Sequence, residues 1–509
     1  MKFLNRALAL GLGLSIFTTS VYADPLDFGV FGGITEGRKL PKTTEQLLQN
    51  NKNTKNQLKS TYKEIIFLTG TPKEYNGNIT IDSKATNLSD KGTYKVSYKV
   101  ENGDTTPPDM TIARNMDYNV NYRQEENQTI KDYEVSKWTE TITVDGKTYT
   151  IDEKESKSSI SIIEDKTPGV TYYKGDVSHR AVYTAGEEKI TQEISGVIYG
   201  YSSAWSSTES QKLNCTISTK DWQMEYQVRP SVSVNKTLEY SKNEPTAISF
   251  EGNYKEVMQN KSGLNYNVYV IPPQLTYTTP ASGNVSIPSF NTFEQLVAPD
   301  LSYLKGHFAE EDIKKMFSMQ VLTGDPKFYK PNQSITRGKF VEMLVKAVKL
   351  PIEDNTKPNN KKAPVEVVFS DVLPENPEYK YIMAAYKEGL TLGQTNGKFG
   401  INEPIERQEA IVLLLRALGL EHLGLDPTPI TPFVDDLDIA SWAKRELYAA
   451  NRIGIISGDA DGKFHPKLFI NNAEAAAIIN RLINYMRYDM QVDYTENIVK
   501  FSVFDIHFK

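Results

Sequence analysis

Cysteine is all but missing from this 509-residue chain: Cys215 is the one thiol, which excludes an internal disulfide framework. A lone exported thiol of this kind reads as a small buried hydrophobe rather than a reactive group. Histidine is scarce, with five residues, and no His/Cys group has metal-site spacing. There is no Gly-x-Ser-x-Gly elbow and no Gly-rich phosphate loop, so no cofactor is expected. Neither sign of charge dominates; a formal net charge of −6 gives no reason to expect nucleic acid or anionic membranes as partners. Long apolar runs are missing too. The run from Ala7 to Phe17 is too short to span a bilayer, and no later stretch is long enough, so membrane insertion is not expected. What remains is ordinary for globular domains, 39% hydrophobic and 24% charged.

The first residues supply a compartment. Lys2 and Arg6 precede the short apolar run, and Val21-Tyr22-Ala23 offers small residues suited to cleavage. Residues 1–23 therefore read as a secretory signal, with the mature protein starting near Asp24 and exported. Residues 24–60 are polar; 41–63, with Leu47, Leu48, Leu58 and Tyr62 spaced through Gln, Asn and Lys, read as one or two helices or partly disordered chain.

Beyond them the period changes to two. Tyr94, Val96, Tyr98 and Val100 alternate with lysine and serine, the pattern of a strand with one wet face. Asp145-Gly146 marks a hairpin that pairs Val144 with Lys147 and Ile142 with Tyr149. Residues 61–271 read as one or two antiparallel, sandwich-like β domains, with a break near 156–158 or 164–169. The β region holds a single histidine, His179, besides Cys215; the pair sits in no catalytic signature, and Trp205 and Trp222 read as core rather than as a glycan platform. Residues 272–300, rich in Pro, Ser, Thr and Gly, read as a linker.

The most informative feature follows. Three copies of one pattern, at 301–354, 365–424 and 430–487, run helix, glycine turn, aromatic turn, second helix. The second helices carry apolar stripes at i, i+3, i+4, i+7 and i+8: Phe340, Met343, Leu344, Ala347, Val348; Ala410, Leu413, Leu414, Ala417, Leu418; Ala475, Ile478, Ile479, Leu482, Ile483. One copy cannot bury such a stripe by itself, so the three are expected to close around a common axis. Glycine turns read Gly389-Leu390-Thr391-Leu392-Gly393 and Gly454-Ile455-Ile456-Ser457-Gly458, while the first copy keeps Gly324 and has Gln320 at the other position. Aromatic turns read Lys327-Phe328, Gly397-Lys398-Phe399 and Gly462-Lys463-Phe464, and the second helices open with Ile335-Thr336-Arg337, Ile405-Glu406-Arg407 and Ile470-Asn471-Asn472. Phe369-Ser370-Asp371 and Phe433-Val434-Asp435 precede copies two and three. A second linker spans 355–364, and the 488–509 tail reads as strand-like through Ile498, Phe501, Val503 and Phe504.

This constellation resembles the S-layer homology domain, whose pattern is an aromatic-x-Asp start, a Gly-Ile-x-x-Gly turn, an Asp-Gly-x-Phe turn and an Ile-Thr-Arg-Ala-Glu helix start. The resemblance covers about the last two fifths of the chain. It implies a mainly α, pseudo-threefold prism whose grooves bind secondary cell-wall polysaccharide, often through a pyruvate ketal. The residues it carries over are Arg337, Arg407 and Asn472 at the helix starts, Asp371 and Asp435, the turn glycines Gly324, Gly393 and Gly458, and Trp442. Independently, a helix N-terminus with unpaired N–H groups plus an arginine fork suits a carboxylate. Asn472 carries no charge, so its groove is expected to bind weakly. Copy one has Lys339 where the capping glutamate belongs, copy two has Glu406 at the cap with Glu409, and copy three has Asn471 with Glu474. Asp371 and Asp435 read as ligand contacts or as caps of the following helices; Trp442, in the stripe Ile439, Trp442, Ala443, Leu447, and its counterpart Phe308 read more as core than as sugar platforms. Asp459-Ala460-Asp461-Gly462 reads as a turn, not a calcium loop.

Three functions compete. The first is a non-catalytic surface protein, structural or adhesive, with other surface-layer proteins as further partners. The second is an anchored enzyme acting on polysaccharide through the β region. The third is a scaffold recruiting an exported protein at a sheet edge.

Overall fold

The computed structural model describes residues 32–36, 54–85, 91–125, 128–242, 252–270, 282–289, 291–352, 367–394, 396–424 and 429–494. The expected export signal at 1–23, the expected 355–364 linker and the expected strand from Ile498 to Phe504 lie outside them. Among the described residues, no helix is long and apolar enough to cross a membrane.

Alternation along the N-terminal region produces strands, and consecutive strands pair. In Lys91–Asn102, Tyr94, Val96, Tyr98 and Val100 face inward while lysine and threonine face out. The Asp145-Gly146 turn has φ of 51° and 75°, and pairs Val144 with Lys147 and Ile142 with Tyr149 as its sequence predicts. The strands form one continuous sheet and not two separate ones. Among the described residues, fifteen strands, from Ile34–Thr35 to Thr292–Val297, form one antiparallel sheet in near-sequential order. No break falls near 156–169, because Lys157–Lys166 is itself a strand paired with both neighbours. The sheet curls until its ends meet. Phe67 stacks at 3.9 Å on Tyr226 and meets Tyr266 edge-on at 5.6 Å, enclosing a single tyrosine-rich core.

Two expectations need correction. Thr54–Ile66 is a strand, not helix. Its inward residues are Leu58, Ser60, Tyr62 and Glu64, so two polar residues interrupt the apolar alternation. Glu64 is inside because it has a partner: Arg114 reaches it at 2.7 Å and Glu140 at 2.7 Å, while Tyr62 donates to the same Glu64 oxygen as Arg114 and Trp138 to the other oxygen of Glu140, at 2.9 Å each. Burial pushes the Glu64 carboxyl above its ordinary range despite the arginine beside it. The second correction is the supposed linker: Ser282–Ile287 and Thr292–Val297 both pair with Asn253–Val270. Val285 and Ile287 are enough to bury one face of the first of these short strands.

Among the described residues, the repeats supply six α-helices: α1 Glu310–Ser318, α2 Arg337–Ala347, α3 Tyr379–Lys387, α4 Arg407–Leu418, α5 Lys444–Arg452 and α6 Asn472–Asn484. All the stripe residues of α2, α4 and α6 are buried in one core. Helix α6 runs on through a π-helical turn, Tyr485–Asp489, and Met490–Asp493. The start of the tail is therefore helical, and Tyr494 packs between Tyr172 and Tyr201 of the sheet at 6.1 and 5.2 Å.

The two regions share this core. Val170, Tyr201, Ala204 and Trp205 from the sheet belong to the same apolar cluster as the repeats. Each repeat also ends its second helix on a donor from the sheet. Trp205 Nε1 donates to Ala347 O at 2.8 Å, Gly169 N to Ala417 O at 2.7 Å, Tyr172 OH to Leu418 O at 2.9 Å, and Ser206 Oγ to Met486 O. Terminal helix carbonyls otherwise need water or a cap.

Replacing Arg114 with methionine leaves two buried carboxylates facing each other. The expected loss is about 3–5 kcal/mol in urea unfolding of the full chain, whereas Glu64→Gln, which keeps a hydrogen-bonding partner, should cost less.

Candidate functional site

Each second helix begins beside the next repeat. Ile405 N donates to Ile335 O at 3.3 Å, Ile470 N to Ile405 O at 3.2 Å, and Ile335 N to Ile470 O at 3.1 Å. The three repeats thus close head to tail. Helices follow the same rule: α3 packs on α2, α5 on α4, and α1 on α6, so every two-helix lobe is built from consecutive repeats.

This closure occupies the helix-end amides that suited an anion in the sequence reading. Arg337 N and Gly338 N donate to Glu403 O and Ile401 O; Arg407 N and Gln408 N to Leu468 O and Pro466 O; Asn472 N and Ala473 N to Gln333 O and Pro331 O. The next amides are capped within their own repeat, by Thr336 and by the Glu406/Glu409 and Asn471/Glu474 boxes. The helix ends therefore join repeats and are not an open anion site.

The arginines do the same. Arg337 Nη1 meets Glu409 Oε1 at 2.5 Å, and Arg407 Nη2 meets Glu474 Oε1 at 2.6 Å. The other oxygen of each glutamate accepts from its own cap residue, Glu406 N at 3.1 Å and Asn471 N at 2.9 Å. One carboxylate caps its helix and clamps the preceding repeat. The third junction lacks both partners: Asn472 replaces the arginine, and Lys339 stands where the glutamate would be. Asn472 Nδ2 bonds Lys330 O at 2.9 Å, and Lys339 pairs instead with Glu342 and Glu378 at 3.0 and 2.9 Å. Sequence reasoning saw each departure but not that they face one another, since the paired positions lie in different repeats.

Asp371 does not cap the helix that follows; it holds the aromatic turn. It accepts from Phe399 N, Gly400 N and Ile401 N at 2.7, 2.7 and 3.2 Å; Asp435 accepts from Phe464 N and His465 N at 2.8 Å each. Burial raises both carboxyls, but these backbone donors outweigh it and hold them below the ordinary aspartate range. In repeat one Tyr303 holds this turn, donating to Pro326 O at 2.8 Å and Tyr329 O at 3.1 Å. The inter-repeat bonds also move one alignment by a residue: Tyr329, not Phe328, occupies the slot of Phe399 and Phe464. Pro331 O, Ile401 O and Pro466 O play the same part, each two residues beyond that aromatic. Phe399 and Phe464 are buried, and Phe328 is 79% exposed.

Gln320 takes the left-handed φ of 59° that Gly389 and Gly454 take at 72° and 76°. Gly324 and Gly393 are left-handed as well, while Gly458 is required by contact, since a Cβ there would lie 2.9 Å from Gly462 backbone. These glycines shape turns. Trp442 departs from its expected core role: Ile439, Ala443 and Leu447 are buried, but Trp442 is 52% exposed and Phe308 70%. Ala440, two residues before Trp442, donates to Gln408 Oε1 at 3.0 Å, which puts this indole at the junction that holds Arg407. Asp459 closes a turn by accepting from Asp461 N and Lys463 N, each at 2.9 Å.

In the sheet, His179 and Cys215 both lie opposite Ile194 on flanking strands, so they are two strands apart. His179 Nδ1 is 2.5 Å from Ser158 Oγ instead. Burial pushes the Cys215 thiol up to about 12, the state of a core residue rather than a nucleophile. Trp205 is buried and Trp222 packs against the core, as expected.

A family model described as the S-layer homology domain matches residues 304–340, 368–411 and 432–476. Relatives include an endoglucanase of Bacillus sp. (strain KSM-635), 26% identical over 230 residues, 45% of this chain and 23% of that protein. An amylopullulanase of Thermoanaerobacterium thermosulfurigenes is 31% identical over 188 residues, 35% and 9% of the two chains. An S-layer protein of Bacillus thuringiensis subsp. finitimus is 29% identical over 175 residues, 34% and 20%. The chain spans less than a quarter of the length of each. Its C-terminal part consists of three S-layer homology repeats, and the chain is a surface-anchored protein of the cell wall or S-layer.

Two outcomes check this geometry. Lys339→Glu with Asn472→Arg rebuilds the missing clamp, and a double-mutant cycle in urea should give a favourable coupling of about 0.5–1 kcal/mol. Cys215 should react with a thiol-specific disulfide reagent at mildly alkaline pH only once denaturant opens the sheet.

Proposed function

With three S-layer homology repeats as premise, we propose that this protein is exported and held non-covalently on the cell wall by secondary cell-wall polysaccharide bound in the grooves between repeats. The head-to-tail ring supports reading the repeats as a pseudo-threefold prism. The observation that carries the proposal is the junction of repeats two and three. There Arg407 is partly exposed, and Gln408 beside it accepts from Ala440 N, two residues before the exposed indole of Trp442. An indole face suits a sugar ring and a guanidinium suits the carboxylate of a pyruvate ketal. The junction of repeats one and two keeps Arg337, but with less of its side chain exposed, 13% against 27%. The third junction offers Asn472 and no cation in that position. The grooves are thus graded, with the Arg407 groove strongest and the Asn472 groove weakest.

The β region is read as a non-catalytic structural or adhesive element, with other surface-layer proteins as its further partners. A tethered polysaccharide-acting enzyme is the second reading, raised by the endoglucanase and amylopullulanase relatives. Glu64 and Glu140 are no acid–base pair for that chemistry, since both are buried on Arg114.

Pull-down of the full chain with purified walls tests anchoring, before and after removal of pyruvate ketals. Retention should fall with the ketals and with Arg407→Gln or Trp442→Ala, and change little with Asn472→Ala. Because Arg407 also clamps Glu474, unchanged helical circular dichroism must accompany the loss. Equal losses for the three variants, or retention by ketal-free walls, would sink the reading. Turnover of a glycan panel by the full chain would favour the enzyme instead.

A further inference from the structure

The seam between the sheet and the repeats holds a group of charges that neither the ring nor the grooves use. Glu256 on the strand Asn253–Val270 is shared: its carboxylate lies 3.2 Å from Lys236 Nζ and 3.5 Å from Arg487 Nη2. Lys349, just beyond the end of α2, brings a third cation. It is ion-paired with no carboxylate among the described residues; its ammonium lies 4.5 Å from the Trp205 ring, which Arg487 also covers at 4.3 Å. The side chains of Lys236 and Arg487 are 6% and 1% exposed, and Arg487 Nε is buried with no acceptor. A buried cation without a full complement of acceptors is costly, so such groups persist where something completes them.

The backbone points the same way. Lys349 has φ of 54°, in the left-handed region that suits glycine, and the same helix-end position in repeat two is Gly419 at 66°. A lysine held there against its preference places an ammonium at the seam. Arg487 is carried by the π-helical turn Tyr485–Asp489, a local distortion often tied to function. Burial, and then the neighbouring Lys236, draw the Lys349 ammonium down to about 8, so it still carries its proton at neutral pH and the positive excess is not relieved.

We propose that Lys236, Lys349 and Arg487 bind a small oxyanion, carboxylate or phosphate in kind, at the seam between the β region and the repeats. The anion gives Arg487 Nε and Lys349 Nζ the acceptors they lack and ties α2 and the π-helical turn to the sheet. Such an oxyanion is either free or borne by a wall glycan. Facing this site are Lys236 and Glu256 from the sheet, Lys349 from the end of α2, and Arg487 and Tyr488 from the π-helical turn.

Calorimetric titration of the full chain at low ionic strength tests this, with orthophosphate in one arm and a ketal-bearing wall fragment in the other. Orthophosphate should bind saturably at one site and weaken about tenfold in Lys349→Gly, the loss of one charge-assisted contact. Glycine also relieves the backbone there, so that variant should fold at least as well as the parent. Lys349→Met, which keeps the side-chain bulk, should weaken binding equally. Affinity should fall as pH rises through the Lys349 titration, and wall retention through the grooves should stay unchanged. Fragment binding lost in both Lys349 variants, without orthophosphate binding, would assign the site to a glycan-borne anion. Binding of neither probe, or equal binding by parent and both variants, would overturn the proposal.

Discussion

Three backbone hydrogen bonds, passed in a circle among Ile335, Ile405 and Ile470, are the constraint on which the repeat half depends. They fix the distance between repeats. At that distance each helix start lies within reach of the next repeat's carbonyls, and each arginine within reach of the next glutamate. A single copy has none of these partners, since the first two amides of its second helix are answered from outside itself. This is the physical content of the threefold repetition: the unit of folding is the closed ring. The Arg-x-Glu spacing of Arg407 and Glu409 belongs to that closure, because Glu409 caps its helix with one oxygen and receives the neighbouring Arg337 with the other.

The opposite end of the ring is completed differently. The carbonyls that close the second helices of all three repeats meet Trp205, Gly169, Tyr172 and Ser206, all from the sheet. The repeats thus satisfy their helix starts among themselves and their helix ends through a different domain. Closure of the ring leaves no helix-start amide open, and only two of the three junctions carry an arginine. The asymmetry lies at paired positions: Asn472 carries no charge, so a glutamate at 339 would have no cation to meet, and lysine stands there.

Much of this was legible in the chain. The helix stripes from Phe340 to Val348, Ala410 to Leu418 and Ala475 to Ile483 are buried as the periodicity requires, and the Asp145-Gly146 hairpin has the predicted register. The strand Thr54–Ile66 was not, because Glu64 breaks an alternation that only its distant partner Arg114 explains. Nor were Ser282–Ile287 and Thr292–Val297, whose pairing to Asn253–Val270 stabilises segments too poor in apolar residues to announce themselves. At the candidate site the residue types were visible and their partners were not. Arg337 and Glu409 are separated by more than a whole repeat, so local pattern gave an isolated cation where the fold has a clamp. Trp442 shared a stripe with Ile439 and Leu447, but the short 3-10 turn that carries it rotates the indole outward.

The passage from sheet to ring is very short. The strand Thr292–Val297 is followed at once by Ala298, which donates to Gly252 O, and then by buried Leu301. A force pulling the sheet from the ring therefore does not run down one tether. It reaches three helix ends side by side, and bonds loaded in parallel yield together at a higher force than bonds loaded in series. Mechanically the protein is a stud rather than a flag.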